Sequence, residues 1–212
     1  MRIPVEAAIR LVHECPYGAL ATQSIQIPGY PFVSILPFVP DEAHNPVFLV
    51  SALAEHTRNL LADGRVSLLL SRPDGENVQT GARVTLMGEA RPLDAGPALV
   101  ARYLRYQPDG ERYLALGDFR FFRLEPKRLR LIAGFGQMGW IEDAAWRQSA
   151  SLPLSDEADM LERLSAPSGM RLLGVDCFGL DLDCGGRRER REFPVGLDRA
   201  GLEAAARQAL AG

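Results

Sequence analysis

Pro46 to Leu70 reads P-V-F-L-V-S-A-L-A-E-H-T-R-N-L-L-A-D-G-R-V-S-L-L-L. Val47 to Val50 is an apolar β run, Gly64 closes a short helix, and Arg65 to Leu70 begins a second β run. Ser51, and then Glu55-His56-Thr57-Arg58-Asn59, fall where the first strand hands over to the helix. A helix start exposes free backbone N–H groups and a partial positive charge, which suits an anion such as a phosphate. Arg58 adds bidentate reach to phosphate oxygens. A capped amphipathic helix with polar residues facing water accounts for the same letters.

Upstream, Tyr17 to Ile25 and Phe32 to Val39 read as a strand pair across Pro28-Gly29-Tyr30-Pro31. The second of these is apolar at Phe32, Val33, Ile35, Leu36, Phe38 and Val39, a pattern expected of a strand covered on both faces. One face is core, and a second copy of the chain is the simplest cover for the other. Ser34 is the polar exception, for which a structural hydroxyl bonded to backbone is one reading. Pro4 to Cys15 fits a first helix, with His13 beside its apolar stripe as a surface or interface residue. Pro40 to Asn45 is a polar loop in which His44 is expected to be solvated.

Downstream, Ala82 to Pro92 reads as a strand with Val84, Leu86 and Gly88 on one face. Ala95 to Tyr106 and Glu111 to Leu116 read as helices. Phe119 to Leu124 and Leu129 to Phe135 read as two strands around Glu125-Pro126-Lys127. Trp146 to Pro153 looks like a linker. Beyond it the pattern is helix (155–164), three strands (169–177, 178–184, 189–193) and a last helix (198–210), with Asp198 as its N-cap. Arg187, Arg188, Arg190 and Arg191 are diluted by Glu189 and Glu192, which reads as a solvated hairpin.

The net charge of −3 carries no basic field suited to nucleic acid. Hydrophobic content of 47% and charged content of 24% are ordinary for a globular protein. No apolar run reaches membrane-spanning length and the N-terminus has no signal-peptide core, so a cytoplasmic protein with no membrane partner is expected. Cys15, Cys177 and Cys184 are odd in number and lack zinc-type spacing. Free thiols in a reducing compartment are the expectation. Lys127 is the only lysine.

G-A-L-A-T at Gly18 to Thr22, Y-P-F-V-S at Tyr30 to Ser34 and H-T-R-N-L-L-A-D-G-R-V-S-L-L at His56 to Leu69 form an ordered set. T-L-M-G-E-A at Thr85 to Ala90, F-F-R-L-E-P at Phe121 to Pro126 and G-F-G-Q-M-G-W at Gly134 to Trp140 continue it. The set resembles the FMN-binding split barrels of the pyridoxamine 5′-phosphate oxidase-like superfamily, and most of all the branch linked to haem utilisation. The resemblance implies an α+β fold: a six-stranded split β-barrel with flanking helices over residues 1–148, and a small C-terminal α/β unit over 154–212. It implies an FMN-binding oxidoreductase acting on a small molecule, and the apolar strand from Phe32 to Val39 adds the expectation of a homodimer. Ser51, Thr57, Arg58 and Asn59 would surround the phosphate with His56 near it. Ser34 would lie along the ring, and Gln79 and Arg83 at the start of the next strand are secondary cofactor contacts.

The alternatives are a haem-binding protein on the same barrel and a non-catalytic member of the family. Haem-utilisation relatives commonly carry an H-M-N-x-D-H string in the first helix of the C-terminal unit. This chain has Ser155-Asp156-Glu157-Ala158-Asp159-Met160-Leu161 there, and no histidine after His56. A haem ligand would then be His44 or His56 or, from the C-terminal unit, Cys177, Cys184 or a methionine.

Overall fold

The computed structural model describes residues 4–72, 81–134 and 137–211. Helix α1 (Val5–Glu14) turns Ala8, Ile9, Leu11 and Val12 into the core, as its apolar spacing dictates. Strands β1 (Tyr17–Gln23) and β2 (Pro31–Pro37) pair antiparallel through the turn at Gly29, and β3 (Val39–Pro40) pairs with β4 (Pro46–Ser51). Helix α2 (Glu55–Ala62) links β4 to β5 (Arg65–Ser71), so the opening stretch is strand, helix, strand. Then follow β6 (Arg83–Leu93), α3 (Pro97–Tyr106), α4 (Gly110–Ala115), β7 (Phe119–Gly134), β8 (Gln137–Glu142) and α5 (Asp143–Arg147).

These strands form one antiparallel sheet in the order β2-β1-β5-β6-β7-β4-β3, with β8 paired to β7. Eight strands, rather than the six expected, therefore make up the sheet among the described residues. Period-two alternation sends Leu20, Leu68, Leu86 and Leu129 to the inner face, where they meet Phe48, Phe122 and the α1 stripe.

β7 corrects the expected strand pair. It is one 16-residue strand that lies along β6 for its full length, with β4 beside its first half and β8 beside its second. Pro126 stands opposite Gly88 at a break in register, where a residue without an N–H is tolerated. A side chain at Gly88 would collide with the Glu125 carbonyl, so only glycine admits this bulge. The 146–153 linker is also corrected at its start: Trp146 is buried in the core, and its Nε1–H donates to Asn45 Oδ1 at 3.0 Å.

The C-terminal region holds α6 (Leu154–Arg163), β9 (Met170–Asp176), β10 (Gly179–Cys184), β11 (Arg187–Glu192) and α7 (Arg199–Ala211). β11-β10-β9 form a second antiparallel sheet, with Met160, Val175, Leu180, Leu182 and Leu202 at its core. Asp198 Oδ1 accepts from Gly201 N at 2.8 Å, the N-cap that its sequence position indicated. Phe178 packs into the core of the first sheet, and α3 lies against β9 and α6. No described helix is long and apolar enough to cross a membrane.

Candidate functional site

The strand-to-helix corner brings several of the expected cofactor residues together. Ser51 ends β4; its hydroxyl donates to Asp118 Oδ2 at 2.6 Å and accepts from Leu53 N at 3.1 Å, so it shapes the turn into α2. Thr57 is fully buried and its Oγ1 has no hydrogen-bond partner; the buried Ser34 Oγ on β2 has none either. Buried hydroxyls are ordinarily satisfied, so these two are the atoms at which a bound polar ligand would be felt. Arg58 is exposed on the same helix. His56 is half-buried, and burial pulls its imidazole below 6.5, toward the neutral form.

Asn59 is committed elsewhere. Its Oδ1 accepts from Ile25 N at 3.1 Å and its Nδ2 donates to Thr22 Oγ1 at 3.0 Å, tying α2 to the β1–β2 hairpin. Arg83 opens β6 half-buried, with Nη1 donating to Gly81 O at 3.2 Å. Gln79 lies outside the described residues. Beyond the corner, Trp140 on β8 lies under Arg128, 4.3 Å from guanidinium to ring centre.

A second polar centre lies between the two sheets, and here two expectations are overturned. His13 and His44 are both fully buried, not at the surface and not solvated. Asp41 folds the 41–45 loop by accepting from Ala43 N and Asn45 N, and Arg123 pairs with its other oxygen at 2.8 Å. This places His44 at φ 64, a left-handed backbone unusual for a residue with a side chain. His44 Nε2 lies 3.0 Å from Ala150 O, and its Nδ1 lies 3.0 Å from His13 Nε2. His13 Nδ1 lies 2.8 Å from Asp181 Oδ2 and 3.2 Å from Asp176 Oδ2.

Carbonyl and carboxylate oxygens only accept, so His44 carries its proton on Nε2 and offers a lone pair at Nδ1. Burial lowers His44 to about 4, which agrees with a neutral ring. The expected solvated arginine hairpin is also corrected. The Arg190 side chain is 1% exposed and bridges Asp176 at 2.9 Å and Asp181 at 2.7 Å. Burial alone would raise both carboxyls, but the Arg190 charge holds them well below the usual carboxylate range. Alternation along β11 explains the error, because it turns Arg188 and Arg190 inward while Arg187 stays exposed.

Around this centre, Arg102 pairs with Glu157 and donates to Pro40 O at 2.7 Å, and Tyr106 donates to Asp181 at 2.7 Å. The arrangement removes His44 from the haem-ligand candidates, since its ring is fully buried between the two sheets, where no haem has access. His56 is then the histidine whose ring remains accessible.

Residues 4–148 match the family described as CREG, beta-barrel. The chain is 33% identical over 127 residues to haem oxygenase HutZ of Vibrio cholerae, covering 56% of this chain and 69% of that protein. It is 38% identical over 133 residues to the chloroplastic non-canonical haem oxygenase HOZ of Arabidopsis thaliana, covering 62% of this chain but only 40% of that protein. A solved structure of protein Atu2129, of unknown function, from Agrobacterium tumefaciens superposes with a TM-score of 0.77 at 25% identity, covering 95% of this chain and 94% of that one.

Proposed function

The chain belongs to the CREG β-barrel family, and we propose that it is a haem-binding protein of the haem-utilisation type. The observation that carries this reading is its 33% identity to a haem oxygenase of which it covers 69%. This favours the haem alternative over the flavin oxidoreductase first expected. His56 on α2 is the residue proposed to hold the iron: it is half-buried, and burial keeps its imidazole neutral and able to donate a lone pair. Bound haem would supply the redox-active metal, while the protein would supply the ligand.

Haemin titrated into the full chain tests this. The expected outcome is a Soret shift that saturates, and an affinity weakened about tenfold or more in His56→Ala. No shift in the wild-type chain would sink the haem reading; an unchanged affinity and band position in the variant would sink His56 as ligand.

A flavin remains the second reading, because the Thr57 hydroxyl, next in the chain to the exposed Arg58, and the Ser34 hydroxyl on β2 are buried without hydrogen-bond partners. A phosphate at the start of α2 would use that guanidinium. Flavin absorbance retained through desalting, with no response to haemin, would favour it.

A further inference from the structure

We propose that His13, His44 and Asp176 form a binding site for a zinc-class divalent cation at the seam between the two sheets. One ligand atom from each of the three buried residues lies within 4.8 Å of the other two. Two imidazoles and a carboxylate are the donor set that such ions take, at bond lengths near ~2.0–2.2 Å. The site is separate from the α2 corner and does not depend on the haem reading.

Four features of the surroundings fit an ion rather than a filler of the core. First, His13 Nε2 and His44 Nδ1 face each other at 3.0 Å. Two nitrogens bound to one tetrahedral ion stand roughly 3.3 Å apart, so the rings need only a few tenths of an ångström. Second, the outward nitrogens already have the partners that orient metal-bound histidines. Asp181 is 2.8 Å from His13 Nδ1, and Ala150 O is 3.0 Å from His44 Nε2. A carboxylate or a backbone carbonyl in that position fixes the tautomer and raises ligand basicity.

Third, Asp176 Oδ2 is buried and makes no hydrogen bond, its contact being the ion pair with His13 Nδ1 at 3.2 Å. Its other oxygen is occupied by Arg190 and by Phe178 N at 2.7 Å. Fourth, His44 holds a left-handed backbone, and strain of that kind persists where the surroundings fix the residue for a purpose. An ion entering between the rings would displace the single proton shared by His13 Nε2 and His44 Nδ1. A cleft of about 320 Å³ is lined by Ala150 and Phe178, both direct neighbours of the His44 ring.

Zn²⁺ alone, titrated by calorimetry into the chelator-stripped full chain, tests the assignment. The expected result is one ion per chain, and Co²⁺ in its place giving visible bands of low-symmetry coordination. X-ray absorption at the zinc edge should count two imidazoles. His44→Asn removes one ligand while suiting the left-handed backbone; Zn²⁺ affinity should fall at least about tenfold. His56→Ala should leave Zn²⁺ uptake unchanged. A wild-type chain that takes up no stoichiometric Zn²⁺, or bound zinc without two imidazoles, overturns the proposal whatever the variants do. Uptake that survives His44→Asn but is lost in His56→Ala overturns it as well.

Discussion

Tyr103 lies buried against the ring of Phe121, with centroids 5.2 Å apart, and burial pushes its hydroxyl from 10.0 up to about 12. Between those values the unfolded chain releases a proton that the folded chain keeps. The stability linked to this group is therefore intact below pH 10 and lost as pH rises toward 12. Urea midpoints measured across that window should fall with pH, and fall less steeply in Tyr103→Phe, which has no proton to lose. An identical slope in the variant would remove Tyr103 from the explanation. Environment rather than residue type also separates the three histidines, which is why the sequence reads two of them wrongly. His44 follows Asp41, Glu42 and Ala43, a string that looks solvated. Its burial is set by Ala150 and by the second sheet, far along the chain. The corner at Ser51 and Thr57 is legible because its residues are neighbours in sequence and strand geometry holds them together. The His13, His44 and Asp176 cluster is not legible, because none of its members is near another in sequence.

At the scale of the element, β2 was readable and β7 was not. The apolar letters on both faces of β2 call for two coverings, and the chain supplies one. Val33 and Ile35 point outward at 59% and 70% exposure. Register extends that row: Ala19 stands opposite both Ile35 on β2 and Leu69 on β5, and Ala21 stands opposite Val33. The result is an apolar strip with small residues along its middle. A second copy of the chain is the occupant expected there, since one such strip offers the same complement to itself. Ile35→Glu should then shift the sedimentation coefficient from dimer to monomer at micromolar concentration. A wild-type chain that sediments as a monomer at every concentration would refute the dimer. β7 misleads because Glu125-Pro126-Lys127 carries turn letters, yet it meets a glycine on β6 that lets the strand bulge and continue. A local reading has no access to the partner strand.

For the whole molecule, the boundary expected near residue 148 falls on a seam built from both sides. Arg105 donates to Leu173 O at 2.9 Å and pairs with Glu157 at 3.1 Å, and Arg188 donates to Cys15 O at 3.1 Å. Arg190 sits at its centre, neutralising two carboxylates that have almost no access to water. A buried ion pair need not add stability over an apolar replacement, but removing one partner leaves a charge with no solvent and no counter-ion. Arg190→Ala leaves two buried carboxylates with only the His13 ring and the Tyr106 hydroxyl beside them, so a loss of about 3–5 kcal/mol is expected in urea unfolding. The form of the transition carries the larger claim. Trp146 is buried with the first sheet and its ring lies 6.3 Å from that of His44, while Arg190 belongs to the second sheet. If the seam couples them, Trp146 fluorescence, read in a Trp140→Phe background, and far-UV circular dichroism should move to lower urea together in Arg190→Ala. Were the dichroism to shift while the Trp146 signal held its midpoint, the second sheet would be melting by itself. The seam would then be a contact between two independently stable parts rather than the core of one.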